Sequence, residues 1–152
     1  MVADWMYAEP IGLYVVVETD SNTVKTLEMT REKPAIKQTR TPIIRALEDY
    51  FATGEDRALL KFDFDRSGLT PFRVKIMEAL RRVPAGETMT YGELAAAAGC
   101  PGGARAVGNV MARNPVPLLV PCHRVLATNG LGGFTGGLDV KRKLLRLEGA
   151  DF

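Results

Sequence analysis

The segment Thr90-Tyr91-Gly92-Glu93-Leu94-Ala95-Ala96-Ala97-Ala98-Gly99-Cys100-Pro101-Gly102-Gly103-Ala104-Arg105-Ala106-Val107-Gly108-Asn109 reads as two short helices across a tight turn. Thr90 can accept from the third helical N–H, and Glu93 stands where its carboxylate returns the bond, so the first helix opens with a capping box. Gly99-Cys100-Pro101-Gly102 breaks that helix, and a second runs from about Gly103 to Arg113. The pattern is a helix-turn-helix. Its second helix is unusual for a base reader: from Gly102 to Asn109 nearly every side chain is small, and Arg105 is the lone long cation. A helix reading major-groove edges projects several Arg, Asn or Gln side chains. Small residues at Ala104, Ala106 and Gly108 instead allow close backbone approach, and Arg105 can enter a base stack. That fits minor-groove contact with distortion of the duplex. The plainer alternative is a helix kept small to pack tightly on a neighbour.

Working upstream, Thr70-Pro71-Phe72 starts a helix with apolar positions Val74, Ile76, Met77, Leu80 and Val83, stopped at Pro84-Ala85-Gly86. Downstream lies Val120-Pro121-Cys122-His123-Arg124-Val125, in which the chain's single histidine directly follows a cysteine. A thiol reacts as thiolate, and a nearby imidazole can take its proton directly or through one water. A buried cysteine beside an inert histidine is the alternative.

The first part of the chain has a different character. Residues 11–19 and 23–29 are rich in β-branched residues and flank the turn Asp20-Ser21-Asn22, which predicts a hairpin. Thr41-Pro42 opens a helix, with Thr41 as N-cap; Ile43, Ile44, Leu47, Tyr50 and Phe51 form its apolar stripe and Gly54 ends it. Residues 1–54 are therefore read as a small α/β domain, 55–69 as a linker packed across the surface, and 70–152 as the helix-turn-helix domain carrying Cys122.

The chain of 152 residues, 46% hydrophobic, is long enough for a real core. No run approaches the roughly 20 apolar residues of a membrane helix, and the start lacks the charged-then-apolar pattern of a secretory signal. Two cysteines 22 positions apart do not form a disulfide framework, which favours a reducing, cytoplasmic setting. Two cysteines and one histidine leave a tetrahedral zinc site a ligand short, so no metal is expected. Residues 1–69 sum to −3 and residues 70–152 to +5. A basic C-terminal half points to a polyanionic partner, although charge runs are often only solvated surface.

With these pieces in view, the chain resembles the O6-alkylguanine-DNA alkyltransferase family. The resemblance runs from Thr70 to Gly149 through Thr90-Tyr91-Gly92-Glu93-Leu94-Ala95, Ala104-Arg105-Ala106-Val107-Gly108, Asn114-Pro115-Val116-Pro117, the Cys122-His123 motif, Gly133-Phe134-Thr135-Gly136-Gly137-Leu138 and Lys143-Leu144-Leu145-Arg146-Leu147-Glu148-Gly149. It implies a ribonuclease H-like sheet in the N-terminal domain and a mostly helical C-terminal domain with a winged-helix-like helix-turn-helix. It also implies direct-reversal DNA repair: one-turnover transfer of an alkyl group from O6 of guanine, and O4 of thymine, to Cys122, without a cofactor. The partner would be double-stranded DNA carrying O6-alkylguanine, bound by a monomer. By the resemblance, His123 is the base through a water, Glu148 orients the imidazole, and Asn114 links the helix-turn-helix to the reacting sulfur. Tyr91 crowds the target phosphate and protonates guanine N3. Arg105 fills the gap left by the flipped base. Phe134 stacks on the guanine, Thr135 contacts O6, and the carbonyls of Cys122 and Val125 accept from the exocyclic amine. Phe134 stands where some members have tyrosine, and residues 1–69 lack the cysteines and histidines with which some members bind zinc. Cys100 is given no role.

Three rivals remain from the residues: a sensor of alkylated bases without a nucleophile, a transcriptional regulator, and a cysteine hydrolase. Cys122 argues against the first, the small-residue helix against the second, and the lack of an identifiable oxyanion hole against the third.

Overall fold

The computed structural model describes residues 1–150, so the last two positions of the C-terminal domain drawn to residue 152 lie outside the described residues. The expected hairpin is present as β2 (Leu13–Asp20) and β3 (Thr23–Thr30). A further strand, β1 (Val2–Ala8), precedes it and pairs antiparallel with β2. Along β2, Leu13, Val15, Val17 and Thr19 are buried while the residues between them are not. This period of two gives the sheet one apolar face, against which α1 (Pro42–Thr53) packs Ile43, Ile44, Leu47, Tyr50 and Phe51. Thr41 stands at the N-cap of α1 as expected but does not cap it with its side chain. Its hydroxyl donates instead to Asp4 Oδ2 at 2.9 Å, beside backbone donation from Thr41 and Thr39.

Residues 55–69 do more than connect. After a 3₁₀ turn at Leu59–Lys61, strand β4 (Asp63–Phe64) adds to the sheet parallel to β3, giving the order β1-β2-β3-β4. Arg81 then ties this segment to the C-terminal part, donating to the carbonyls of Phe62 at 2.8 Å and Leu119 at 3.2 Å.

The C-terminal part is helical, as the sequence predicts. Helix α2 (Pro71–Arg81) is capped by Thr70, which accepts from Arg73 N at 3.2 Å. The short strand β5 (Met89–Thr90) leads into α3 (Tyr91–Ala97), where the capping box forms in both directions at 3.1 and 2.9 Å. Helix α4 (Ala104–Ala112) follows the Gly99–Gly102 turn and buries Val107, Val110 and Met111, spaced as one helical face. A 3₁₀ turn holds Cys122–Arg124; strand β6 (Val125–Leu126) pairs with β5, and α5 (Leu138–Leu147) closes the described chain.

Gly54 joins the two parts. It ends α1 at φ 76°, and a Cβ there would meet the Leu147 carbonyl oxygen at 2.1 Å. Only glycine allows the end of α1 to lie against the end of α5, and that contact brings Tyr50 beside Glu148.

Candidate active site

The 3₁₀ turn at 122–124 separates consecutive side chains by about a third of a circle. Cys122 therefore faces one way and His123 another. His123 and Arg124 are fully buried and converge on Glu148, whose side chain is wholly out of solvent. Glu148 Oε2 lies 2.7 Å from His123 Nε2 and accepts from Arg124 Nη2 at 2.8 Å and from the Tyr50 hydroxyl at 2.5 Å. Glu148 Oε1 accepts from Arg124 Nε at 2.9 Å. Arg124 also donates to the Val83 carbonyl at 2.7 Å and to Asp56 at 3.0 Å. Burial alone would raise the Glu148 carboxyl, but the hydrogen bonds and charges of His123 and Arg124 outweigh it and hold the group at about 2. Burial pushes His123 down against the pull of Glu148, so the imidazole is neutral near pH 7. Nε2–H then donates to Glu148, and Nδ1, which has no hydrogen-bond partner among the described residues, carries the free lone pair.

Cys122 is 8% exposed, and it lines a cavity of about 100 Å³ shared with Tyr91, Gly108, Met111, Ala112, Gly133, Phe134 and Thr135. The sulfur is thus open towards the second helix of the helix-turn-helix. Burial raises its thiol above the ordinary range, opposed by a hydrogen bond from Asn114 and by the charge of Lys141. The resting sulfur is therefore protonated, and a thiolate has to be generated when a reaction partner arrives. Asn114 braces the approach to it: Nδ2 donates to the Val120 carbonyl at 2.8 Å and Oδ1 accepts from Val116 N at 3.0 Å.

Tyr91 is half-buried at the start of α3, and its hydroxyl lies 2.9 Å from the point a Cβ on Gly132 would occupy. Gly132 is at φ 72°, so both its conformation and this approach require glycine. Arg105 and Ala106 are exposed on α4, while Ala104 and Gly108 are half-buried. Phe134 is half-buried over the cavity; Thr135 is exposed, its hydroxyl 3.5 Å from the Ala112 carbonyl. The Val125 carbonyl already accepts from Lys141 at 2.6 Å, leaving one lone pair for any ligand.

Three residues of this site are not singled out by the sequence reading: Arg124, Tyr50 and Lys141. Lys141 is fully buried, and its ammonium is also bonded to the carbonyls of Leu131 at 2.5 Å and Gly133 at 3.0 Å. Burial lowers it to about 8, against the opposing pull of Cys122. Its position beside Val140, Leu144 and Leu145 on the buried side of α5 is the signal that could have found it. Among the described residues no cluster of His, Cys, Asp and Glu could hold a metal ion.

A neutral histidine bonded to a carboxylate, next in sequence to a cysteine that opens beside a DNA-binding type of helix pair, places the chain in the class of cysteine-bearing proteins built on a helix-turn-helix. Comparison with known proteins narrows this. Residues 71–150 match the family model described as 6-O-methylguanine DNA methyltransferase, DNA binding domain. The chain is 35% identical to a methylated-DNA–protein-cysteine methyltransferase of Metallosphaera sedula, over 99% of this chain and 95% of that protein. It superposes on the crystal structure of Mycobacterium tuberculosis OGT in complex with DNA with a TM-score of 0.80 at 32% identity, covering 97% of this chain and 92% of the other. The O6-methylguanine-DNA methyltransferase of Pyrococcus kodakaraensis gives a TM-score of 0.75 at 27% identity, with 91% and 92% covered. The chain belongs to the methylated-DNA–protein-cysteine methyltransferase family. Its combination of an α/β sheet with helices is the architecture of those solved structures.

Proposed function

We propose that this protein repairs DNA by moving an alkyl group from O6 of guanine, and from O4 of thymine, to the sulfur of Cys122. The observation that carries the reading is the cavity in which Cys122 meets Gly108, Met111 and Ala112 of α4, with the next residue, His123, bonded to Glu148. Double-stranded DNA carrying the lesion binds along α4 through the minor groove, where Ala104, Ala106 and Gly108 permit close approach. The target nucleotide is flipped out, and Arg105 occupies the vacated stack. A void of about 100 Å³ is smaller than the roughly 300 Å³ of an ordinary small-molecule site, so the loop bearing Phe134 and Thr135 yields as the base enters. Phe134 stacks on the purine, Thr135 meets O6, and the carbonyls of Cys122 and Val125 take the exocyclic amine.

In the chemical step His123 Nδ1 removes the thiol proton through a water, because the 3₁₀ turn keeps the two side chains apart. Glu148 steadies the imidazolium, as a triad carboxylate does. The sulfur lone pair forms the S–C bond, the C–O6 bond breaks, and its electron pair leaves with guanine. Tyr91 delivers a proton to N3, so one proton leaves Cys122, one reaches the base, and a neutral guanine departs. The thioether is a poor leaving group; each molecule therefore acts once. For the finer architecture, three antiparallel strands, a returning helix and a parallel fourth strand favour a ribonuclease H-like sheet. The β5–β6 pair beside α3 favours a winged-helix-like module.

Incubation with duplex DNA containing O6-methylguanine, followed by protein mass measurement, tests the reading. One methyl mass on the Cys122 peptide, saturating at one equivalent, is expected. Unmodified protein with bound DNA, or repeated turnover, would refute it.

A further inference from the structure

Tyr50 sits in the apolar stripe of α1 beside Leu47 and Phe51 and is 1% exposed. Its ring meets Phe51 edge to face, with centroids 5.1 Å apart, so packing alone is served as well by a second phenylalanine. The hydroxyl is what phenylalanine lacks, and a buried hydroxyl is unfavourable unless bonded. Its partner lies 98 positions away: it donates to Glu148 Oε2 at 2.5 Å. The same oxygen accepts from Arg124 Nη2 at 2.8 Å and faces His123 Nε2 at 2.7 Å, so three donors converge on one atom. A carboxylate oxygen offers about two lone pairs, and a third donor therefore draws charge away from the other two. The contact of Gly54 with Leu147 brings the hydroxyl within reach, and Asp56, a little further along the same segment, holds Arg124 at 3.0 Å. Burial and the adjoining carboxylate push ionisation of the Tyr50 hydroxyl well above its ordinary range, so it stays a donor near neutral pH.

We propose that Tyr50 is a positioning residue for alkyl transfer: by holding Glu148 Oε2 and sharing its charge, this N-terminal side chain keeps His123 neutral and aligned to receive the thiol proton. The inference rests on the alkyl-transfer reading above, and it gives the N-terminal domain a part in a reaction whose other groups all come from the C-terminal domain. A carboxylate left with fewer donors binds the imidazole N–H more strongly and stabilises the imidazolium. His123 is then protonated at higher pH and unable to take a proton from Cys122. Burial works in the same direction as Tyr50, holding His123 below its ordinary value. The other titratable groups around the pair are Cys122 and Arg124 on the same turn, Asp56 after α1 and Lys141 on α5. Arg124, Asp56 and Lys141 have hydrogen bonds of their own that do not involve Tyr50, so its hydroxyl can be removed while each keeps its partners.

His123 is the chain's only histidine, so NMR of isotope-labelled histidine in the untagged full chain follows this ring alone. Tyr50→Phe should raise the midpoint of its titration by about half a pH unit or more. The acidic limb of single-turnover methyl transfer from duplex O6-methylguanine, followed from about pH 5 to about pH 8, should move up with it. On the alkaline plateau the rate should change by less than about threefold. Fluorotyrosine at position 50 is a stronger donor of nearly the same shape and should move both midpoints the other way. That second variant keeps the test decisive if Tyr50→Phe does not fold. A lower melting temperature in Tyr50→Phe with both midpoints unmoved would mean that the hydroxyl serves the fold alone, and it overturns the inference while leaving alkyl transfer intact. A downward shift in Tyr50→Phe, or no shift with fluorotyrosine, overturns it as well. Failure of the wild type to take methyl removes the underlying reading, and the inference falls with it.

Discussion

His123 Nε2 and Glu148 Oε2 are 2.7 Å apart across 25 positions of sequence, and the contact fixes which nitrogen of the imidazole is basic. With Nε2–H committed to the carboxylate, Nδ1 alone can receive a proton. The Glu148→Gln amide can still accept from Nε2–H but cannot stabilise an imidazolium by charge. We expect this variant to transfer methyl about 10²-fold or more slowly, in the range of general-base effects, with DNA affinity unchanged. Single-turnover kinetics and a binding titration check it; wild-type rates would remove the pair from the chemistry.

The same carboxylate makes stability depend on acid. Its folded-state value of about 2 lies below the 4.5 of an unperturbed glutamate. A depressed carboxyl contributes stability that is complete above about pH 4.5 and is lost as pH falls towards 2. The shift corresponds to about 3 kcal/mol. Denaturant unfolding at pH 6 and pH 3 should show a steeper loss for wild type than for Glu148→Gln. Parallel losses would mean that other groups govern acid unfolding.

Arg124 holds Glu148 from the other side while reaching Asp56 in the segment after α1. Removing one partner of a buried ion pair costs about 3–5 kcal/mol, because the remaining charge stays buried. Arg124→Met should therefore destabilise by that order and slow transfer, although Arg124 is far less exposed to any substrate than Cys122. Asp56→Asn, at a partly exposed carboxylate, should cost much less. Equal costs would argue that the Asp56 bond, not the Glu148 bond, is the one that matters.

Much of this site is legible in the sequence because its elements are local. The Thr90–Glu93 capping box, the turn at Gly99–Gly102 and the Cys122-His123 adjacency each lie within a few residues of one another. The hairpin of β2 and β3 and the stripe of α1 are likewise carried by short-range periodicity. Strand β1 has no clear local signature because Val2–Ala8 mixes Asp4 with apolar residues, and Asp4 faces inward to bind Thr39 and Thr41 rather than outward to water. Strand β4 is two residues long and owes its existence to pairing with β3, which no local pattern announces. No local pattern marks Arg124 and Lys141 as buried cations. They are buried only because carboxylates and carbonyls distant in sequence converge on them.

Arg105 is exposed on a helix of small residues, where folding makes no use of its length. If it replaces the flipped base, Arg105→Ala should slow repair of O6-methylguanine in duplex by about tenfold or more, an unstacking cost of a few kcal/mol being uncompensated. Reaction with free O6-methylguanine should be nearly unchanged. Equal slowing of both would show that the arginine acts on the cysteine site itself.

Cys122→Ser should abolish transfer, since a buried hydroxyl is a far weaker nucleophile at an sp3 carbon than a thiolate. The hydroxyl can keep the hydrogen bond to Asn114, so DNA affinity should stay near wild type. Measurable alkyl mass gain in this variant would assign the acceptor to another residue, with Cys100 the alternative thiol.

Alkylation of a sulfur in a tightly packed site costs about 1–3 kcal/mol for overpacking. Cys122 is not so placed. Cys122 borders spaces of about 100 and 230 Å³, so a methyl group on the sulfur enters room that already exists. What alkylation does remove is the thiol proton, together with part of the sulfur's capacity to interact with Asn114, worth about 1 kcal/mol at most for a neutral hydrogen bond. The methylated protein should therefore melt close to the free protein, with a loss of about 1 kcal/mol or less. Differential scanning calorimetry of protein before and after reaction with one equivalent of lesion decides the point. A loss of about 3 kcal/mol or more would mean that the cavities close around the thioether and that the turn at Cys122–Arg124 is displaced.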